Sequence, residues 1–232
     1  MNGTALITGA SSGLGSEFAR QLDGRVDHFI LVARRGEKLQ ALAASLSTPS
    51  TIIEQDLSLA DAPETLCERI EALGLIVDVL INNAGIAGPD LLSVTEFSEQ
   101  RTFEQLMMKT VAELCSRLIP QMQSRGTGWV INVASVAGRF PSSDSGNYGP
   151  AKAYVIALSE ELNLAVKNNG VKVTALCPGF THTEFHAVAG LMDAKRTHRH
   201  GSGTTQVRSC ERGWQRVTKG SLSLSRVACI VG

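Results

Sequence analysis

Thr8-Gly9-Ala10-Ser11-Ser12-Gly13-Leu14-Gly15 joins an apolar run, Thr4–Thr8, to a helical pattern, Ser16–Leu22. Strand, glycine-rich turn and helix, in that order, make a cradle for phosphate. Glycine lets the chain turn tightly and lets its backbone approach a pyrophosphate, whose charge the N-terminus of the following helix stabilises. The spacing is Gly-x-x-x-Gly-x-Gly rather than the commoner Gly-x-Gly-x-x-Gly, and a glycine trio alone is a weak signal. Its place at a strand-to-helix junction carries the reading. Gly9, Ser11, Ser12, Gly13, Leu14 and Gly15 are the candidate cofactor-binding residues.

Beyond this turn, apolar strand-like runs alternate with helical periods. Strands are expected at His28–Ala33, Thr51–Glu54, Val77–Ile81, Gly128–Val133 and Lys172–Leu176. Helices are expected at Gly36–Leu46, Ala62–Leu73, about Arg101–Gln123, and Gly149–Asn168. Short strands separated by helices of this length need right-handed crossovers into a parallel sheet. The expected fold is α/β: a Rossmann-like, doubly wound parallel sheet with helices on both faces, three layers in a single domain over residues 1–232. Ligands then bind beyond the C-terminal ends of the strands. The pattern fades after Met192, and residues 190–215 read as irregular, either a substrate loop or a disordered stretch. Ser221–Val231 offers a last, irregular strand.

Composition narrows the function classes. Hydrophobic residues make up 43% of the chain and charged residues 19%, with no net charge, so neither nucleic acid nor an anionic membrane is an expected partner. Residues 195–219 hold seven Lys/Arg against one Glu, which reads as a solvated face. The five cysteines (Cys67, Cys115, Cys177, Cys210, Cys229) show no CxxC or paired spacing; reduced thiols in a cytoplasmic protein and no metal site are expected. The first residues enter a strand pattern without a basic leader, and no apolar run has the length of a membrane span.

Two further groups bear on chemistry. At the end of the second strand, a carboxylate would bind a ribose 2′-hydroxyl and a cation would accept a 2′-phosphate. The sequence there is Ala33-Arg34-Arg35, with no acid before Glu37. Arg34 offers a planar fork for phosphate, which favours NADP over NAD. Ser135 follows a strand, and Tyr148 and Lys152 stand four residues apart on one helix face. A nearby ammonium stabilises a phenolate and so suits a tyrosine to acid–base work.

Taken together these motifs resemble the short-chain dehydrogenase/reductase family over roughly residues 3–185. Thr8–Gly15 is similar to its TGxxxGxG turn, Asn82-Asn83-Ala84-Gly85 to its NNAG motif, and Ser135, Tyr148 and Lys152 to its catalytic Ser and YxxxK. Asp56-Leu57 stands where the family contacts adenine, and Pro178-Gly179 with Thr183 resembles the segment beside the nicotinamide. The resemblance implies hydride transfer between a nicotinamide and a small carbonyl or alcohol. In that scheme Tyr148 exchanges the proton on oxygen, Lys152 lowers its pKa and holds the nicotinamide ribose, and Ser135 orients the reacting oxygen. It also implies that Asn83, Ala84 and Gly85 contact the adenosine side.

The sequence departs from the family at the helical Asn expected 13 residues before Pro120, where Met107 stands; no Asn occurs from Asp90 to Thr127. Met107 joins Phe103, Val111, Leu114 and Leu118 in an apolar stripe and reads as core. It also leaves open an alternative, a cofactor-binding protein with little catalysis. The helix Ala151–Val166 is apolar nearly all round, and with the 101–119 helix it leads to the expectation of a homodimer or homotetramer.

Overall fold

A computed structural model of the protein describes residues 3–92, 97–140, 146–179 and the backbone of 228–230. All five residues of β1 (Thr4–Thr8) are buried, as expected for a strand covered on both faces. Successive side chains point to opposite faces. Leu6 joins one core layer with Ile30, Leu66, Leu80, Leu114 and Leu118, and Ile7 joins the other with Phe18, Leu22, Phe29 and Leu39. The first layer packs beneath α3 (Ala62–Ala72) and α5 (Thr110–Arg125), and the second beneath α1 (Gly13–Leu22) and α2 (Gly36–Ala44).

The other strands are β2 (His28–Ala33), β3 (Ser50–Glu54), β4 (Val77–Asn82), β5 (Gly128–Val133), β6 (Val171–Pro178) and β7 (Ala228–Ile230). They form one sheet in the order β3-β2-β1-β4-β5-β6-β7, and every pair is parallel. The chain is thus the expected doubly wound α/β domain with helices on both faces. Because β2 and β4 lie on opposite sides of β1, the strand order reverses there, and a crevice opens beyond the carboxyl ends of β1 and β4.

Two differences from the sequence reading bear on the site. The helix expected over Arg101–Gln123 is α4 (Ser98–Glu104) and α5, joined by one π-helical turn, Gln105–Lys109. No residue type encodes such a turn, and here it coincides with the contact between Met107 and the strand end after β4. The helix α6 (Tyr148–Val166) starts one residue before the expected Gly149, so Tyr148 occupies its first position. β7 falls inside the expected tail strand, whereas the 190–215 segment lies outside the described residues.

Candidate active site

The glycine turn is packed tightly against the end of β4. Gly9 has φ +65°, and a Cβ there would lie 2.8 Å from Ala84 Cα. A Cβ on Gly15 would collide with the Gly9 carbonyl, so the first turn of α1 seats directly on the strand end. Asn83 closes the turn from below: its Nδ2 donates to Thr8 O at 3.0 Å and to Gly9 O at 3.2 Å. The Thr8 hydroxyl accepts from Asn83 N and Ala84 N and donates to Ile81 O at 3.3 Å. α1 has no side-chain cap at Ser12 and no acid in its first turn, which leaves its positive end facing the crevice. Gly85 is exposed at the same edge. Such a cradle suits a dinucleotide pyrophosphate.

At the end of β2 the two arginines take different partners. Arg34 Nη1 lies 3.9 Å from Asp56 Oδ2. Asp56 Oδ1 also accepts from Ser58 N at 3.0 Å and Ser58 Oγ at 2.7 Å. Burial works to raise the Asp56 pKa, but the Ser58 bonds and Arg34 outweigh it and hold the carboxyl below its usual range. Leu57, beside it, is buried. Arg35 reaches across to the turn, with Nη2 donating to Ser12 Oγ at 2.7 Å and to Ser11 Oγ at 3.1 Å. The sequence reading selected Arg34 for a ribose phosphate and gave Arg35 no role. Both guanidinium groups stand at the carboxyl end of β2, and the repeated Arg-Arg was the available signal.

Beyond β5 lies the second cluster. Ser135 caps the 3₁₀ turn Val136–Gly138, its Oγ accepting from Ala137 N at 3.1 Å. Its own proton remains for donation, and Ser135 is hydrogen-bonded to Tyr148. Lys152, one helical turn further along α6, is buried and donates from Nζ to Val133 O, the last carbonyl of β5, at 2.6 Å. Its ammonium lies 5.6 Å from the centre of the Tyr148 ring. Burial pushes the Tyr148 phenol up to about 12 against the Ser135 bond, and pushes Lys152 down to about 8, opposed by Cys177. At the phenol, desolvation therefore outweighs the Ser135 hydrogen bond.

Met107 is core, as its apolar stripe indicates. It is 1% exposed, packs with Phe103 and Ala151, and its sulfur accepts from Ile86 N at 3.4 Å. It supplies no proton-relay group, yet leaves the Ser135–Tyr148–Lys152 set intact. Pro178 is buried at the end of β6 and Gly179 follows it, while Thr183 lies outside the described residues. Sequence reasoning also missed Gln100 and Asn147, whose amides meet beside Tyr148; neither sits in a recognisable motif.

A doubly wound parallel sheet with a glycine cradle at its switch point and a Ser, Tyr and Lys beyond a neighbouring strand defines a class of nicotinamide-dependent dehydrogenases and reductases. The family model for short chain dehydrogenases matches residues 3–193, and the chain belongs to that family. It is 33% identical to the serine 3-dehydrogenase of Agrobacterium fabrum over 81% of this chain and 76% of that protein. It is 32% identical to a sulfoacetaldehyde reductase of Chromohalobacter salexigens, over 88% of this chain and 83% of that one. Among solved structures, a short-chain dehydrogenase from Sphingobium yanoikuyae in complex with NADPH superposes with a TM-score of 0.84 at 28% identity, covering 95% of this chain and 86% of that one. The chain is thus an NAD(P)-dependent oxidoreductase of the short-chain type, and among the described residues no helix is long and apolar enough to cross a membrane.

Proposed function

We propose that the protein is an NADP-dependent oxidoreductase acting on a small carbonyl or alcohol. The observation that carries the chemistry is the hydrogen-bonded Ser135–Tyr148 pair with Lys152 one turn along the same helix. Preference for NADP is supported by Arg34 and Arg35 at the end of β2, by the absence of an acid there, and by the NADPH held by the Sphingobium relative.

Gly9, Ser11, Ser12, Gly13, Leu14 and Gly15 would cradle the pyrophosphate, and Arg34 and Arg35 the 2′-phosphate. Asp56 and Leu57 would flank the adenine, Asn83, Ala84 and Gly85 the adenosine side, and Pro178, Gly179 and Thr183 the nicotinamide. The bound cofactor supplies or accepts the hydride. Ser135 orients the substrate oxygen through its hydroxyl, and Tyr148 delivers or removes the proton on that oxygen. Lys152, fixed by Val133 O, holds the nicotinamide ribose and supplies positive charge beneath the phenol.

Residues 1–232 are read as one unit. Tyr154 and Leu164 are exposed on α6, which supports a homodimer or homotetramer through that helix; light scattering decides between these and a monomer. The working location is the cytoplasm. Function is tested by following NADPH and NADH oxidation with a panel of aldehydes, ketones and 3-oxoacyl thioesters. Turnover with NADPH well above that with NADH is expected; tight NADPH binding with no turnover on any of them would overturn the reading.

A further inference from the structure

Tyr148 is the first residue of α6, and the first turn of a helix is held only weakly by the helix itself. Asn147, just before it, makes no side-chain cap to α6. Its amide turns to α4 instead, where Nδ2 donates to Gln100 Oε1 at 3.1 Å and to Glu104 Oε1 at 3.4 Å. Gln100 is completely buried, and its Nε2 donates to Pro89 O at 3.3 Å. The same carbonyl accepts from Asn147 N at 3.4 Å. A buried amide costs stability unless both its ends are bonded. Here one end is spent on the loop after β4 and the other on the neighbour of Tyr148, and an apolar side chain would fill the space without either bond.

That loop is pressed against the tyrosine. A Cβ on Gly88 would lie 2.6 Å from Tyr148 N and 3.0 Å from Tyr148 Cβ, and one on Gly146 would lie 2.6 Å from Pro89 O. The loop continues directly from Asn83-Ala84-Gly85, which braces the glycine cradle. Through it, the cradle and the tyrosine share one piece of backbone.

We propose that Gln100 is a positioning residue, which by bridging Pro89 O and Asn147 fixes the backbone of Tyr148 against the loop after β4 and holds the phenol in its partly buried seat. The kinetic half of this inference rests on the carbonyl–alcohol reading above; the structural half stands without it.

The chain has two tyrosines, Tyr148 and Tyr154, so in a Tyr154→Phe background an ultraviolet titration of the phenol reads Tyr148 alone. In that background Gln100→Leu and Asn147→Ala are expected to move the onset of ionisation from about 12 toward the ordinary 10 as the seat opens. With NADPH and a ketone, kcat falls by roughly tenfold or more, because small misplacement of a reacting group is costly. The KM for NADPH stays within about twofold, since the cradle is untouched. Gln100→Glu keeps the acceptor for Asn147 but, while ionised beside Glu104, loses the donor to Pro89 O. Its kcat therefore recovers relative to the parent as the pH is lowered and the new carboxyl regains a proton, whereas that of Gln100→Leu does not.

An unchanged onset in Gln100→Leu and Asn147→Ala would overturn the inference whatever the turnover. A shifted onset in a chain that turns over no substrate upholds the clamp and overturns the oxidoreductase reading instead. Should Gln100→Leu fail to fold, Asn147→Ala at its half-buried position carries the same test.

Discussion

The cradle at Thr8–Gly15 and the amino end of α6 both stand at the carboxyl edge of the sheet, yet they are built by opposite means. The cradle is made of backbone. Its glycines are fixed by what a Cβ would strike, and its hydrogen bonds run between β1 and the end of β4, strands already paired in the sheet. The tyrosine end is held by contacts among three separate segments, with the Gln100 and Asn147 side chains and the Pro89 carbonyl meeting around Tyr148. One region is specified by local geometry, and the other depends on tertiary assembly. On the proposed function, substitutions at the two regions would act mainly on cofactor binding and on proton transfer, respectively.

The largest effect is expected at the tyrosine end. Tyr148→Phe removes the proton donor and should lower kcat by roughly 10²- to 10⁴-fold, the usual contribution of a general acid, measured as steady-state NADPH oxidation. The converse break is Gly15→Val, which thrusts a side chain into the Gly9 carbonyl. NADPH affinity should fall beyond measurement in a fluorescence titration, with the Tyr148 cluster unaltered. Between the arginines the comparison sharpens further. Arg35→Ala removes a charge-assisted contact of about 1.5–3 kcal/mol, so NADPH should bind roughly 10- to 100-fold more weakly while NADH binding barely changes. Equal losses for the two cofactors would show that Arg35 does not read the 2′-phosphate.

The smallest effect lies far from both regions. Asp23, at the carboxyl end of α1, accepts from Ser47 N, Ser47 Oγ and Thr48 N. The Ser47 and Thr48 hydrogen bonds, outweighing burial, lower its pKa from 3.8 to about 2. A carboxyl with a lowered folded-state pKa contributes stability above its unfolded value and loses it as the pH falls through the folded one. Urea unfolding should therefore show Asp23→Asn less stable than the parent at neutral pH. The gap should close as the pH drops from 3.8 toward 2, without change in NADPH affinity.

The same contrast explains what the sequence made legible. β1, β2 and β5 begin and end where apolar runs between turn residues place them, because a strand buried on both faces must be continuously apolar. The cradle was legible because only glycine serves at Gly9 and Gly15. The Ser135, Tyr148 and Lys152 set was legible as a spacing, but not the balance of its pKa values, since burial is a property of the assembled site. The π-helical turn at Gln105–Lys109 carries no residue signature. Gln100 was opaque for a related reason: a polar residue near a helix start reads as solvated, and only the packing of α4 against residues 88–89 and 146–148 buries it.

On the proposed function the cradle binds NADP and Tyr148 performs the proton transfer. This is tested most directly by titrating NADPH into the parent and into Tyr148→Phe and assaying both with the same ketone. Dissociation constants within about twofold of each other are expected, with turnover lost only in the variant. Turnover retained by Tyr148→Phe would contradict the proposal.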